Sequence, residues 1–270
     1  MKDYWILGNK VTSISTDELL SEVEIAIDGN KREIILNTNV HGIDLARKHA
    51  WLKDFRNGMR ITHCDGAGVA LGARLLGFDI GKRVCINDFF WPLADLCALR
   101  GFSVYLLGGR PQVIESAVSV VHDRQPNLQL AGYHDGYFAK EGSETDAIVD
   151  EINRAKPNIL LVGFGMPIQE KWVHDNMSRL QANVVMVVGG FFDRLSGSVP
   201  FAPKWVTENG LEWLYLSFKR PSRFFSRYLV SNPRFVAQVL LQRSGLAHYP
   251  VSARYKGSQG YADVSLDGRA

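Results

Sequence analysis

Two short runs of mostly apolar, β-branched residues stand in the second half of the chain, and each ends in glycines. Gly163 and Gly165 close the first run, Gly189 and Gly190 close the second, and one helix-length segment lies between them. Apolar runs of this length are typical of buried parallel strands, and open α/β sheets bind ligands at the carboxyl ends of such strands. The pattern of 158–193 therefore predicts two parallel strands whose following loops are available to a ligand.

The same alternation of strands, polar or glycine turns and helices runs through residues 1–204. Ser15 and Glu18 have the spacing of a capping box, and Pro111 suits the first position of a helix. The pattern predicts strands at 33–36, 59–62, 103–107 and 128–133, and helices at 42–55, from about 68 to 76, after an Asn87 cap, from Pro111, and after a cap at Ser143 with Asp146. Strands that alternate with helices in this way predict a Rossmann-like α/β domain, a mostly parallel sheet with flanking helices.

The composition changes after about Pro203, where aromatic residues and arginines become dense. Pro221 and Pro233 are expected to divide the segment 205–243 into helical pieces. The middle piece has one apolar and one basic face, and the final piece, which follows an Asn232 cap, has one apolar side. These faces are formed by Phe224, Phe225, Tyr228 and Leu229, by Arg220, Arg223 and Arg227, and by Phe235, Val236, Val239 and Leu240, respectively.

Two interpretations of this C-terminal helical appendage stay open at this point. Its helices could dock on the α/β domain by their apolar faces. Alternatively, the appendage is amphipathic and lies on an anionic membrane surface, where each Lys or Arg contributes roughly 1 kcal/mol of binding. Residues 244–270 are rich in Gly, Ser, Ala and charge, and we predict a disordered tail there.

Composition limits the class of protein. A hydrophobic share of 46% and a charged share of 22% are ordinary for a soluble domain, and a formal net charge of +3 is too small to indicate nucleic-acid binding. Cys64, Cys85 and Cys97 form no C-x-x-C pair, so neither a disulfide framework nor a zinc site is indicated, and they suit a reducing cytoplasm. The sequence shows no signal-peptide core and no run of about 18 apolar residues. We therefore expect a protein that is soluble or peripheral on a membrane.

Asp65 is the first candidate for chemistry. It directly follows a predicted strand and precedes Gly66-Ala67-Gly68. A carboxylate at the mouth of a sheet could act as the general base for an incoming hydroxyl group. The alternative from this residue alone is a plain helix N-cap.

Other motifs carry weaker signals. Gly108-Gly109-Arg110 is similar to a phosphate-binding turn but lacks the full G-x-G-x-x-G, and Asp135 with Gly136 and Tyr137 is typical of a turn. Gln169 and Glu170 add polar groups where a predicted strand passes into a helix. The histidines lack metal-ligand spacing, and the chain has no Asp-x-Asp, P-loop or G-x-S-x-G sequence. No cofactor and no metal are therefore expected.

Short motifs across residues 32–243 together resemble the WecG/TagA/CpsF family of bacterial glycosyltransferases. In chain order they are Asn39, CDGAG at 64–68, Arg83, LLGG at 106–109, DGYF at 135–138, GFGMPIQEKW at 163–172, GGFFDRLSG at 189–197, APKW at 202–205 and GLEWLY at 210–215. The resemblance implies transfer of a sugar from a UDP-sugar to a saccharide on a polyprenyl diphosphate, with inversion and without a metal. It also implies a role in exopolysaccharide or cell-envelope polymer synthesis, on the inner face of the plasma membrane, and it is compatible with a homo-oligomer.

The resemblance also assigns residues. Asp65 would be the catalytic base, and the appendage would contact the membrane and supply arginines to the diphosphate. Where the family often has Thr-x-Asn, this chain has Asn37-Thr38-Asn39, and where an arginine commonly follows the aromatic pair, it has Leu216. The substrate-binding residues we predict are Asn37, Asn39, Arg83, Gly108, Gly109, Asp135, Gly165, Gln169, Glu170, Asp193, Arg220, Arg223 and Arg227.

Two other classes of function remain open from the sequence. A soluble sugar-nucleotide-modifying enzyme, such as an epimerase or dehydrogenase, is disfavoured because G-x-G-x-x-G is absent. A non-catalytic nucleotide-binding module that is recruited to membranes would make Asp65 dispensable. The transferred sugar also stays open among glucose, N-acetylmannosamine and its uronic acid.

Overall fold

One eight-stranded sheet forms the centre of the molecule in a computed structural model that describes residues 1–200, Val206 and 221–251, with only the backbone described at 221–230. The strand order is β1-β2-β4-β3-β8-β7-β5-β6, and every neighbouring pair is parallel except β1 with β2. The strands are β1 (Lys2–Ile6), β2 (Asn9–Ser13), β3 (Glu33–Thr38), β4 (Ile61–Cys64), β5 (Ser103–Gly108), β6 (Gln129–His134), β7 (Ile159–Gly163) and β8 (Val184–Val187). This confirms the predicted mostly parallel α/β sheet.

Helices cover both faces of the sheet. They are α1 (Thr16–Asp28), α2 (Val40–Lys48), α3 (Ala50–Gly58), α4 (Ala67–Leu75), α5 (Ile86–Arg100), α6 (Pro111–Arg124), α7 (Ser143–Ala155), α8 (Ile168–Asn176), α9 (Phe191–Leu195) and α10 (Pro221–Arg243). The Ser15 capping box at α1 and Pro111 at the start of α6 are both present as predicted.

Strict alternation of side chains along the strands divides the core into two layers. On β7, Ile159 and Leu161 pack with α1, α5, α6 and α9, whereas Leu160 and Val162 pack with α3, α7 and α8. Because successive side chains on a strand point to opposite faces, a strand buried on both sides must be apolar throughout. This requirement is the reason the continuous apolar runs predicted parallel strands correctly.

The N-terminal hairpin was not predicted. Strands β1 and β2 meet at a two-residue turn, where Leu7 and Gly8 have φ of 51° and 72°. Two successive positive φ values match the tight hairpin turns whose twist suits antiparallel strands. Strand β2 then pairs in parallel with β4 through Thr12 and His63, so the hairpin extends the sheet at its edge.

Several predicted boundaries were wrong. The segment predicted as one helix at 42–55 is α2 and α3, which meet at His49 in extended conformation. Cys85, not Asn87, is the N-cap of α5, and Gly142, without a side-chain hydrogen bond, replaces the predicted cap of α7. These errors concern local capping, where the spacing of Ser, Asn and Asp is a weak signal.

Pro233 does not divide the appendage, because α10 continues through it from Pro221 to Arg243. Proline removes one helical hydrogen bond, but packing of the residues that follow it compensates for that loss. Phe235 and Val239 are buried against α4, with 4% and 0% of their surface exposed. This confirms that the final piece docks on the core, although Leu240, predicted on the same side, is 47% exposed.

Glycine at position 72 allows this docking. A Cβ there would lie 2.8 Å from two ring carbons of Phe235, so no larger residue fits without displacing α10. The Gln242 side chain adds a second attachment, because its Oε1 accepts from the Leu7 N–H (2.8 Å) and its Nε2 donates to the Trp5 carbonyl (3.1 Å). The C-terminal half of α10 is therefore fixed to the hairpin edge of the sheet.

Residues 244–251 continue from α10 along the same edge. Tyr249 packs, partly buried, against the cluster under α10, and the Pro250 carbonyl accepts a hydrogen bond from the Lys53 ammonium at 2.7 Å. The rest of the predicted tail, 252–270, lies outside the described residues, and the domain division at 204 and 243 stays a prediction. Within 1–200 and 221–251, no helix has both the length and the apolar character needed to cross a bilayer.

Candidate active site

The sheet brings the carboxyl ends of six parallel strands to one edge. In spatial order these strands are β4, β3, β8, β7, β5 and β6. The predicted site residues at or after these strand ends are Asp65 after β4, Asn37 and Asn39 at the end of β3, Gly189 after β8, Gly165 and then Gln169 after β7, Gly108 and Gly109 at the end of β5, and Asp135 after β6. Residues distant in sequence, predicted separately from local patterns, therefore line one edge.

A crevice is expected between the ends of β3 and β8. The chain leaves β3 through α2 and then α3, and Phe55 of α3 packs in one core layer. It leaves β8 for α9, whose Phe191 packs in the other layer. Adjacent parallel strands whose connections depart to opposite faces mark the ligand site of open α/β sheets. The ends of β3 and β8 are therefore the expected ligand-binding position of this sheet.

Asp65 lies next to β3, and its backbone is fixed. The N–H groups of Asp65 and Gly66 both donate to the Thr38 carbonyl, at 3.0 and 3.2 Å. The N-cap of α4 is Gly66, so the simple N-cap interpretation of Asp65 is wrong. Arg83 Nη1 donates to the Asp65 carbonyl at 3.1 Å, which ties the loop before α5 to the same point.

The glycines of the CDGAG motif permit close packing of α2 against α4. A Cβ on Gly66 would lie 2.8 Å from the Asn39 Cβ, and one on Gly68 would lie 2.6 Å from Val40 Cγ2. Both contacts are too short for a residue with a Cβ unless the neighbouring atoms move. The amino termini of two helices, each the positive end of a helix dipole, are consequently brought side by side next to Asp65.

The two asparagines at the end of β3 have different environments. Asn39 is the N-cap of α2, and its Oδ1 accepts from the Gly42 N–H at 2.9 Å. Asn37 is buried and its Nδ2 donates to the Val187 carbonyl of β8 at 3.1 Å, across the predicted crevice. Its Oδ1 is buried and has no hydrogen-bond partner among the described residues.

Gln169 and Glu170 are both fully buried at the start of α8. The Gln169 Oε1 accepts from the N–H of Gly165 (3.2 Å) and of Gly189 (3.0 Å), so one side chain joins the loops after β7 and β8. The Gln169 Nε2 donates to Glu170 Oε1 at 3.0 Å. These hydrogen bonds give both polar side chains partners at the transition from β7 to α8.

Gly108 and Gly109 make the contacts of strand ends. A Cβ on Gly108 would lie 2.3 Å from the Gly163 carbonyl oxygen, and the Gly109 N–H donates to that same oxygen at 3.3 Å. The Gly109 carbonyl accepts from Gly136 N–H at 2.8 Å. The Gly109 N–H of the predicted phosphate-binding turn is therefore already hydrogen-bonded to the end of β7.

A polar group lies at the β5–β6 end of the same edge. Asp135 Oδ1 accepts from the Tyr137 N–H at 2.7 Å, which confirms the predicted turn. Arg110 Nε donates to the Tyr137 hydroxyl at 3.3 Å, and this hydrogen bond raises the pKa of Arg110. Asp193, on α9, is close enough to Arg110 to add to that effect.

The predicted arginines of the appendage are placed only in part. Arg220 lies outside the described residues, and for Arg223 and Arg227 the structure gives the helical backbone of α10 without the side chains. Within the described ranges, no group of three or more His, Cys, Asp or Glu side chains is arranged to hold a metal ion.

His63 is buried on β4, directly before Cys64. Desolvation lowers its pKa to about 4, so its ring is neutral near pH 7. Burial likewise raises the pKa of the Cys64 thiol to about 12, which keeps it protonated and unreactive. Neither residue competes with Asp65 as a base or a nucleophile in this part of the site.

The comparison with known families decides the class. The model of the glycosyl transferase WecG/TagA/CpsF family matches residues 4–248. The chain belongs to this family. Membership confirms the resemblance inferred from the motifs, and the assignment of Asp65 as the catalytic base stays a prediction.

Three curated relatives carry the same name, N-acetylglucosaminyldiphosphoundecaprenol N-acetyl-beta-D-mannosaminyltransferase. The one from Bacillus subtilis (strain 168) is 32% identical over 176 residues, which is 65% of this chain and 66% of that protein. The one from Bacillus spizizenii is 32% identical over 187 residues, 68% of this chain and 70% of that protein. The one from Staphylococcus aureus (strain NCTC 8325) is 27% identical over 195 residues, 71% and 75% of the two chains.

Sequence reasoning missed Arg56, which is buried behind the end of β3 with 1% of its surface exposed. Its Nη2 donates to the Asn37 carbonyl (3.0 Å) and to the Thr38 Oγ1 (2.7 Å). A signal was present, because Arg56 directly follows Phe55 on the helix face that carries Leu52. A charge among apolar positions is rarely buried without a partner.

Proposed function

We propose that this glycosyltransferase moves N-acetylmannosamine from its UDP derivative to a polyprenyl-diphosphate-linked N-acetylglucosamine, with inversion and without a metal. The names of the three relatives support this choice of sugar and acceptor over glucose or a uronic acid. Those names also specify a β linkage, and a β linkage that is formed from an α-linked nucleotide sugar requires inversion at the anomeric carbon.

The observation that carries the proposal is the position of Asp65. It is half-buried at the carboxyl end of β4, its backbone is bonded to the end of β3, and it lies beside the switch point of the sheet. A general base must be held within hydrogen-bond reach of the proton that it removes. Two backbone hydrogen bonds to one carbonyl provide such a fixed starting point for the side chain.

The reaction is a single displacement. The acceptor hydroxyl oxygen attacks the anomeric carbon, the bond from that carbon to the diphosphate oxygen breaks, and the electron pair leaves with UDP. Asp65 accepts the proton of the attacking hydroxyl group. An attack opposite to the leaving group gives the inverted product.

Negative charge accumulates on the leaving diphosphate and needs cationic or N–H partners. The positive ends of the α2 and α4 helix dipoles, at their amino termini, lie at the carboxyl edge beside Asp65. Arg220, Arg223 and Arg227 are our candidates for direct contact, because a guanidinium group binds phosphate oxygens in pairs. Arg83 is a further candidate, since the hydrogen bond from its Nη1 to the Asp65 carbonyl already holds it at the Asp65 loop.

The lipid acceptor gives the appendage its role. A polyprenyl diphosphate stays in the membrane, so the catalytic edge must approach the membrane surface. The aromatic and arginine-rich segment around 220–229 has the composition of a helix that lies in an anionic interface. We therefore propose that the protein works as a peripheral enzyme on the inner face of the plasma membrane.

Turnover with a panel of donors tests the proposal. The full chain is incubated with synthetic polyprenyl-diphosphate N-acetylglucosamine and, separately, UDP-N-acetylmannosamine, UDP-glucose and the uronic acid, each with and without excess EDTA. We expect a disaccharide lipid with a β linkage from UDP-N-acetylmannosamine, at equal rates with EDTA. Preference for another donor would refute the choice of sugar, and loss of activity in EDTA with rescue by a divalent ion would refute the metal-free mechanism.

A further inference from the structure

A set of buried charged and polar side chains lies directly beneath the carboxyl edge, and the displacement step does not use it. Arg56 on α3 is 1% exposed, and Gln169 and Glu170 on α8 are fully buried. Both helices pack on the same face of the sheet. Lys, Arg, Asp and Glu are seldom completely buried unless they are paired, so this group requires an explanation.

Arg56 holds the end of β3. Its Nη2 donates to the Asn37 carbonyl and to the Thr38 hydroxyl oxygen, and the Thr38 carbonyl in turn accepts from the Asp65 N–H. Gly42 leaves room for the guanidinium group, since a Cβ there would lie 3.0 Å from Arg56 Nη1. The guanidinium group is thus two contacts away from the backbone of the proposed base.

Glu170 acts on the neighbouring strands through Gln169. Glu170 Oε1 accepts from Gln169 Nε2, which orients the amide so that Gln169 Oε1 faces the N–H groups of Gly165 and Gly189. An amide in the opposite orientation would present an N–H to two N–H groups. Glu170 therefore determines which atom of Gln169 joins the loops after β7 and β8.

The two charges also compensate each other. Burial raises the pKa of Glu170, and the Arg56 guanidinium group counteracts that rise; burial lowers the pKa of Arg56, and Glu170 counteracts that effect. Arg56 Nε and Nη1 and Glu170 Oε2 are buried without a hydrogen-bond partner among the described residues, so the two side chains attract each other without a hydrogen bond between these atoms. Removing one charge leaves the other buried without compensation.

We propose that Arg56 and Glu170 are positioning residues that together hold the ends of β3, β7 and β8 in the arrangement that Asp65 needs for sugar transfer. This inference rests on the proposed function, and it assigns Glu170 to support of the site, not to contact with substrate. A purely structural pair would be replaceable by apolar residues, which pack at least as well in a core. The location of both residues at strand ends, bonded to loop groups, favours the positioning role.

The test compares Glu170→Gln and Arg56→Lys with the control Arg60→Gln in the full chain. Arg60 is the control because its guanidinium group also joins two other segments of the chain, through Glu22 at 2.6 Å and Glu33 at 2.9 Å, but at the amino end of the sheet. We expect Glu170→Gln to lower kcat by about 10- to 100-fold with KM for the UDP-sugar within about threefold, because a small misplacement affects the transition state most. Arg56→Lys should keep a part of kcat, and Arg60→Gln should keep nearly all of it.

Two results overturn the proposal. One is a folded Glu170→Gln variant with the kcat of the parent, and the other is an equal loss of kcat in Arg60→Gln at equal thermal stability. If Glu170→Gln does not fold, the double variant Arg56→Met with Glu170→Leu removes both charges at once. We expect that variant to fold with low kcat, and the kcat of the parent in it would also overturn the proposal.

Amide hydrogen exchange tests the same network without turnover. The N–H groups of Gly165 and Gly189 both donate to Gln169 Oε1. Because a glutamine at position 170 could still accept from Gln169 Nε2, this measurement uses Glu170→Leu, which we expect to speed the exchange of both amides by roughly tenfold or more, while Arg60→Gln leaves it unchanged. Unchanged exchange in Glu170→Leu refutes the positioning role. If the parent protein transfers no sugar from any donor, the proposed function fails, while this measurement still decides on the network.

Discussion

At the scale of single residues, Asp65 and His63 show how two neighbouring positions on one strand take different roles. His63 is within β4 and buried, and Asp65 follows the strand and is half-buried. A side chain inside a strand of a covered sheet loses contact with water, whereas a side chain just past the strand end can reach a ligand. The buried His63 is thus a structural residue, whereas Asp65, two positions later, is the proposed base.

The first prediction concerns Asp65→Asn. We expect kcat to fall by about 10²–10⁴-fold, since the amide cannot accept the proton of the attacking hydroxyl group. Binding of the UDP-sugar should stay within a few-fold of the parent, because the backbone of residue 65, not its side chain, makes the contacts to Thr38. Steady-state kinetics and calorimetric titration measure the two quantities. Asp123→Asn, at an exposed position of α6, is the control and should retain full activity.

The second prediction concerns His63 and acid stability. The pKa of His63 is about 4 in the folded protein and 6.5 in the unfolded chain, so the unfolded state takes up a proton first as the pH falls. His63 therefore stabilises the fold fully above pH 6.5, and that contribution is lost as the pH falls from 6.5 towards 4. Between pH 7.5 and 4.5 the free energy of unfolding should fall by about 2.5 kcal/mol.

Urea unfolding at both pH values, for the parent and for His63→Asn, measures this contribution. The variant should show a smaller decrease in the free energy of unfolding over the same interval, because residue 63 no longer titrates. An identical decrease in both proteins would show that other groups cause the pH dependence.

At the scale of elements, helix α10 depends on a complementary surface on α4. Phe235 and Val239 fill the space above Gly72, and Gln242 bonds the end of the same helix to the β1–β2 hairpin. Since Pro233 interrupts the hydrogen bonds of α10, packing must supply the stability that local helix propensity does not. The site and the appendage are thereby linked through α4, which begins beside Asp65 and ends under α10.

The third prediction is that Gly72→Val loosens α10. The added methyl groups would overlap the Phe235 ring, and overpacking of this kind typically costs about 1–3 kcal/mol. Limited proteolysis should then cut within 231–251 faster than in the parent. Leu71→Val, on the exposed side of the same helix, places an equally branched residue where it meets no packed ring and should leave the cleavage rate unchanged.

At the scale of the whole molecule, the proposed function would make the carboxyl edge and the appendage serve one reaction on a membrane-bound acceptor. The α/β sheet places the base, while the proposed membrane contact lies in the segment that carries Arg220, Arg223 and Arg227. A basic amphipathic helix binds anionic lipid through apolar burial and electrostatic attraction, and the second contribution weakens with salt. Membrane attachment and completion of the site would then be one event.

The fourth prediction is that replacing Arg220, Arg223 and Arg227 by Gln lowers liposome binding and turnover in parallel. The core should be unaffected, so circular dichroism and thermal unfolding should match those of the parent. Flotation with vesicles that contain anionic lipid, at low and high salt, measures binding, and the polyprenyl-diphosphate acceptor measures turnover. Gln substitution of Arg74, Arg110 and Arg124, which lie on the α/β domain, is the charge-matched control for binding to vesicles.

A triple variant of the appendage that stays fully active would mean that these arginines contact neither lipid nor diphosphate. The apolar docking of α10 would then be the sole role supported for the appendage. Loss of turnover with intact liposome binding would separate the two functions and assign the arginines to the substrate.

The sequence by itself determined the α/β class, the parallel strands and the family. Continuous apolar runs that end in glycine leave few alternatives, because a strand covered on both faces must be apolar at every position. The glycines at 66, 68 and 108 were visible in the sequence too. Glycine is required at these positions for a steric reason, because a Cβ at each would lie within 3 Å of a neighbouring atom. Asp65 could be singled out because such a glycine turn follows it directly.

Tertiary structure alone decided the strand order, the partners of the buried polar residues and the continuity of α10. Arg56 and Glu170 are far apart in sequence, and nothing local indicates that they approach each other beneath three strand ends. Pro233 predicts a break locally, but the pocket formed around Gly72 holds Phe235 and Val239 and keeps the helix continuous. Local patterns record which residues must be buried, whereas the packing of distant segments determines what each buried group meets.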